Sequence, residues 1–277
     1  MRLVWQLLAV IAIAFIGGQG IAAVDGKPWL TFGVGLLTAV LSVFVYRWVV
    51  GRTERRRVTE MAWEGAGPAF GRGTLIGLAL FAAVMTNLFA SGYYDVDGLG
   101  SGAGAVGFIG FMAAAAVTEE VMYRGVLFRI IEQRTGTWTA LALTSALFGA
   151  SHLFNPNASV LGAAAIAVEA GGMLTGAYIA TRNLWVPMGL HFGWNFAAAG
   201  IFSTEVSGNG TSEGLLDATT SGPILITGGE FGPEGSVYSV LFGVLVTMVF
   251  LWLARRRGHL VPRRRADRAD AVSKLSR

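Results

Sequence analysis

The chain has 277 residues, of which 53% are hydrophobic and 14% charged, against roughly 25% charged in an ordinary soluble domain. Its mean hydropathy is +0.57, and apolar runs long enough to cross a bilayer core of about 30 Å recur along it. This excludes a soluble globular enzyme. The absence of cysteine excludes disulfides, iron–sulfur ligation, thiolate zinc sites and cysteine nucleophiles. A formal charge of +4 is explained by where the basic residues fall, and no nucleic-acid partner is expected.

The hydrophobic pattern predicts an all-α, polytopic membrane bundle of about eight spans, near 3–24, 29–50, 73–91, 104–122, 138–155, 159–181, 184–203 and 236–254. The first run is long for a signal peptide and no clear A-x-A cleavage site follows it, so it is read as an uncleaved span. The fourth is expected to continue as a helix to about residue 134, beyond the bilayer. With the N-terminus inside, 51–72, 123–137, 182–183 and the tail from Arg255 share one side. Of the 21 Lys and Arg residues, only Lys27 falls opposite, whereas Asp95, Asp97, Glu205, Glu213, Asp217, Glu230 and Glu234 all do. The positive-inside rule then predicts cytoplasmic N- and C-termini. The expected home is the plasma membrane of a prokaryotic cell.

The organisation expected is a set of N-terminal spans over 1–103, including a basic interfacial segment at 51–72. A four-helix core over 104–203 carries the chemistry, followed by an extracytoplasmic loop at 204–235, a last span at 236–254 and a basic tail at 255–277. The tail arginines, among them Arg264 and Arg265, anchor topology beside anionic headgroups.

Ionisable residues inside spans are costly and mark function by default. Here Glu119 and Glu120 lie in span four, Phe148 and His152 one helical turn apart in span five, Glu169 in span six, and His191 and Asn195 one turn apart in span seven. Glu120 and Arg124, at i and i+4, share a face and can pair. Glu119 is turned about 100° away and stays available. Residues 134–137 read as a hairpin turn, which puts Glu119 and His152 each about 16 residues, or roughly 24 Å, from it. They can therefore face each other. His191 and Asn195 reach the same level if the hairpin protrudes, which places the cluster nearer the cytoplasmic half of the membrane.

Glu119 with His152 makes a general-base pair for water, and His191 with Asn195 can stabilise an oxyanion. Such a set hydrolyses an acyl bond, most simply a peptide bond. Zinc held by Glu119, His152 and His191 is the rival arrangement. No H-E-x-x-H motif signals it, and no cofactor is read with certainty.

Glu119-Glu120-x-x-x-Arg124, Phe148-x-x-x-His152 and His191-x-x-x-Asn195 resemble the three motifs of the CAAX-protease and bacteriocin-processing (CPBP) intramembrane proteases. That family includes the type II CAAX prenyl endopeptidases. Gly176–Pro187, before the last motif, is also family-like, and the resemblance covers roughly 104–200. It implies that Glu119 and His152 activate water, that His191 and Asn195 stabilise the oxyanion, and that Glu120 and Arg124 organise the site. It also implies a membrane-associated protein or peptide as substrate, lipid-modified in the prenyl-directed relatives. Family members have been described both as metalloproteases and as glutamate-dependent enzymes. The competing readings are a catalytically silent membrane scaffold or immunity protein and a proton-coupled transporter using Glu119, Glu169 and the histidines.

Overall fold

The computed structural model describes residues 1–210 and 213–263. Arg264, Arg265 and the rest of the expected basic tail lie outside the described residues. The chain is predominantly helical. α1 (Arg2–Ala22) has no ionisable side chain after Arg2. α2 (Pro28–Glu54) starts on a proline, whose missing N–H is an orphan at that position anyway, and ends at Arg55 in the left-handed region. α3 (Ala66–Ala90) follows Gly65 at φ +71°. α4 (Gly102–Thr135) is capped by the Ser101 hydroxyl and runs to the expected turn, where Gly136 takes φ +84°. α5 (Thr137–Ser151), α6 (Val160–Thr181), α7 (Trp185–Asn195, prolonged by a π-helical segment Phe196–Ile201) and α8 (Val237–Arg256) complete the bundle.

Among the described residues, six helices, α1 to α4, α6 and α8, are long and apolar enough to cross a membrane. The other two expected spans correspond to shorter helices: α5 has 15 residues and α7 has 11 before its π segment. A helix of 15 residues rises only about 22 Å, short of the roughly 30 Å hydrocarbon core. The chain is an integral, multi-pass membrane protein. Its all-α character has one exception, a small antiparallel pair of strands. β1 (Tyr94–Leu99) pairs with β2 (Leu216–Thr220), with an irregularity between Val96 and Gly98. It ties the loop after α3 to the expected loop 204–235.

At the opposite end the helix termini are joined by charge. Glu54 receives Arg129 and Arg56, each at 2.7 Å, and Arg56 also grips Glu60 at 2.6 Å. Arg182 pairs with Glu132, and Arg257 donates to the Ala180 carbonyl. The starts and ends that the loop charges assign to one side thus gather at one end of the bundle. Burial pushes the Glu60 carboxyl up, but the hydrogen bonds and charge of Arg56, a backbone hydrogen bond and the Tyr46 hydroxyl together outweigh it and hold the group below its ordinary value.

Two glycine pairs set the closest helix contact. Gly73 and Gly77 of α3 face the α7 backbone at Val186 and Leu190, and Gly189 and Gly193 of α7 face the α3 backbone at Phe70 and Thr74. A side chain at any of them would collide with main chain, which is the small-x-x-x-small logic of membrane helix association. Residues 191 and 195 lie roughly on the other side of α7 from 189 and 193. The same close contact therefore presents His191 and Asn195 to α4.

Candidate active site

Directly after Glu120, α4 widens into a π-helical segment, Val121–Phe128. The same rare geometry occurs at Ala167–Gly171 in α6, around Glu169, and immediately after Asn195 in α7. Such segments cluster at functional sites, because the wider turn leaves carbonyls free and re-aims side chains. One use is visible at Arg124. Its guanidinium donates to the Ala170 carbonyl at 3.2 Å and to the Thr175 hydroxyl at 3.2 Å, and lies 4.6 Å over the Phe148 ring.

Glu120 is fully buried and makes the expected pair with Arg124, at 2.7 Å. The same oxygen, Oε1, lies 3.0 Å from His191 Nδ1. Because a carboxylate oxygen accepts, Nδ1 carries the proton and Nε2 is turned toward Glu119, whose Oε2 is 3.9 Å away. His191 therefore sits between the two glutamates, with Glu120 held by arginine and Glu119 not. Glu119 Oε2 has no hydrogen-bond partner among the described residues.

Glu119 opens onto a cavity of about 490 Å³ that is also lined by His152, His191 and Asn195. This volume lies in the range of small-ligand sites. His152 Nδ1 lies 2.7 Å from the Phe148 carbonyl, so this nitrogen is protonated and Nε2 is the ring's free acceptor. No ion pair within 4.0 Å joins Glu119 to His152 among the described residues, and both line the same cavity. The Asn195 amide makes no hydrogen bond to described residues. Phe148 is the hub beneath the group, with ring centroids 4.9 Å from His152, 6.1 Å from His191 and 4.9 Å from Tyr123.

Among the described residues no three His, Cys, Asp or Glu side chains form a group close enough to hold one ion, while the His191 Nδ1 contact with Glu120 leaves Nε2 on the side of Glu119. The expected depth is revised. α5 stops at Ser151, His152 opens a 3₁₀ turn, and Asn155-Pro156-Asn157 ends the helical run. The cavity is walled by Val206, Ser207, Asn209 and Gly210 of the loop that continues to the strands. It therefore lies toward the strand-bearing end of the bundle, away from the arginine-rich end.

Several residues of the site were not anticipated. Tyr123 lines the cavity four residues after Glu119, and Asn155 three after His152. The loop 206–210 and the buried Glu234 beneath it carried no periodic signal. Glu169 is fully buried, both its oxygens lack partners among the described residues, and Gly243 of α8 packs against its backbone.

No curated protein and no solved structure matches the chain. Residues 101–197 match the family model described as Rce1-like, type II CAAX prenyl endopeptidase Rce1-like, so the segment carrying all seven motif residues is Rce1-like, as those motifs resemble.

Proposed function

We propose that the protein is an intramembrane endopeptidase that hydrolyses a peptide bond of a membrane-associated protein or peptide. Eight membrane-embedded helices, cytoplasmic termini and a prokaryotic plasma-membrane location complete the reading, supported by the gathering of arginines at one end of the bundle. The observation that carries the function is the asymmetry of the two glutamates. Glu120 is buried and paired with Arg124, while Glu119 has no arginine partner among the described residues and lines the cavity with two histidines and an amide.

In this mechanism a water between Glu119 and His152 Nε2 gives a proton to the Glu119 carboxylate as its oxygen attacks the substrate carbonyl carbon. The carbonyl oxygen gains the negative charge and is met by the Asn195 amide. His191 adds a second donor when Nε2 carries a proton, since Nδ1–H is already given to Glu120. As the tetrahedral species collapses, the C–N bond breaks and the proton on Glu119 passes to the leaving amine. Phe148, Glu120 and Arg124 hold the acceptors and donors in place. The cavity accepts a short stretch of extended chain, and lipid modification of the substrate is a feature of the family's prenyl-directed members only.

Comparative terminomics of membranes from cells carrying wild type or Glu119→Gln, at matched levels, tests this reading. New peptide termini present only with wild type support it and name the substrate. Identical termini with a correctly inserted variant overturn it and favour a silent scaffold.

A further inference from the structure

The loop from Thr204 to Gly210 is tied to α7 and to the turn after α5 by several hydrogen bonds, one of them to a buried carboxylate. Glu234 is 2% exposed. Its Oε1 accepts from Trp194 Nε1 at 2.9 Å, next to Asn195 on α7. Its Oε2 accepts from the Ser207 hydroxyl at 2.7 Å. From the other side Asn155, just beyond His152, donates to the Ser207 carbonyl at 2.6 Å, and the Asn157 N–H donates to the Gly208 carbonyl at 2.9 Å. A void with room for about one water lies between His152, His191, Asn195, Ser207 and Glu234. Glu234 thus reaches the back of the site that Glu119 faces from the front.

Ser207 has φ +54°, a left-handed conformation that a non-glycine residue adopts at a cost. It is held there by the hydrogen bonds to its hydroxyl and its carbonyl. Strained backbone at such a place persists because surrounding contacts over-determine it. The residues it positions, Val206, Asn209 and Gly210, form one wall of the cavity.

We propose that Glu234 is a positioning residue of the hydrolytic site. It clamps the loop 204–210 against α7, so that this loop presents a fixed wall to the backbone of the substrate. The proposal rests on the endopeptidase reading, and it assigns substrate grip to a segment outside the family-matched region.

The test uses the full chain in proteoliposomes with two variants, Glu234→Gln and Ser207→Gly. Glutamine keeps one acceptor for Trp194 but meets the Ser207 hydroxyl only as a neutral donor, so the charge-assisted bond is lost. Glycine removes the hydroxyl donor while relieving the left-handed backbone, and the two effects oppose each other in the melting temperature. The chain lacks cysteine, so Val206→Cys gives a single thiol on a residue that is 5% exposed. Its maleimide labelling reads loop docking without any need for cleavage. Expected for both variants is labelling about tenfold faster, the scale of one hydrogen bond to a charged group. With the peptide spanning the cleavage site found by terminomics, KM rises about tenfold while kcat changes far less.

Unchanged labelling, or KM and kcat both at wild-type values, overturns the proposal. So does a loss of activity that merely tracks the fraction folded. If Glu119→Gln still cleaves, the endopeptidase reading fails by itself, and the labelling result still decides whether Glu234 clamps the loop.

Discussion

Replacing Glu120 by glutamine keeps the outline of a side chain that no solvent reaches, yet removes the charge facing Arg124 at 2.7 Å. Arg124 is itself 1% exposed, and its remaining partners are a hydroxyl and backbone carbonyls. The guanidinium would be left buried without a counter-ion, a change that costs about 3–5 kcal/mol when one partner of such a pair is lost. At roughly 2–4 °C per kcal/mol for a chain of this size, the melting temperature in detergent should fall by about 10 °C. His191 also loses the charged acceptor that sets its tautomer, so cleavage should fall further than folding. Replacing both members by leucine removes the stranded charge, and melting should recover by more than half while cleavage does not. Differential scanning fluorimetry alongside peptide hydrolysis reads the two effects separately. A Glu120→Gln protein as stable as wild type, or a double variant no more stable than the single one, would refute the argument that Glu120 exists to neutralise Arg124 and orient His191.

Gly193→Ala drives a methyl into the Thr74 carbonyl oxygen and places it 2.9 Å from the Thr74 Cα and carbonyl carbon, so α3 and α7 must part by about 1 Å to restore ordinary contact. A shift of that size in His191 and Asn195 should lower kcat by up to about 100-fold, whereas Gly71→Ala, which meets nothing within 4 Å, should leave it unchanged. Equal behaviour of the two alanine variants would contradict this. Because Glu60 is held below its ordinary value of 4.5, its ion pair with Arg56 stabilises the fold above that pH and ceases to do so as the carboxyl protonates below it. Melting temperature should therefore decline on acidification below pH 4.5 and decline less steeply in Glu60→Gln; parallel curves would count against it. Glu169→Leu should melt at or above the wild-type temperature, since neither carboxylate oxygen has a partner among the described residues and an apolar side chain removes an uncompensated buried polar group. A fall of more than about 5 °C would show that Glu169 has a partner.

What the sequence made legible was whatever repeats over short distances. Uninterrupted apolar runs exposed α1 to α4, and the polar break at 134–137 marked the turn that Gly136 makes. The spacing of Glu120 and Arg124 announced their pair, and helical geometry separated Glu119 from it. The rest depends on contacts between distant residues. Asn157 meets Glu205 across 48 positions and Trp194 meets Glu234 across 40, so no local pattern reveals that loop 204–235 folds back over the cavity. β1 and β2 likewise find each other across the whole four-helix core. The apolar runs at 138–155 and 184–203 also matched helical segments, the first ending at Asn155-Pro156-Asn157 and the second starting at Trp185, whose indole donates to the Ala62 carbonyl. The three π segments left no trace in residue type at all.

The most direct measurement of the central claim is hydrolysis of the terminomically identified peptide by purified protein in proteoliposomes, with wild type and Glu119→Gln compared at equal insertion and equal melting temperature. Loss of cleavage in the glutamine variant by about 10³-fold or more is predicted, as expected when a general base that starts the reaction is removed. Cleavage by Glu119→Gln at a rate near that of wild type would contradict it.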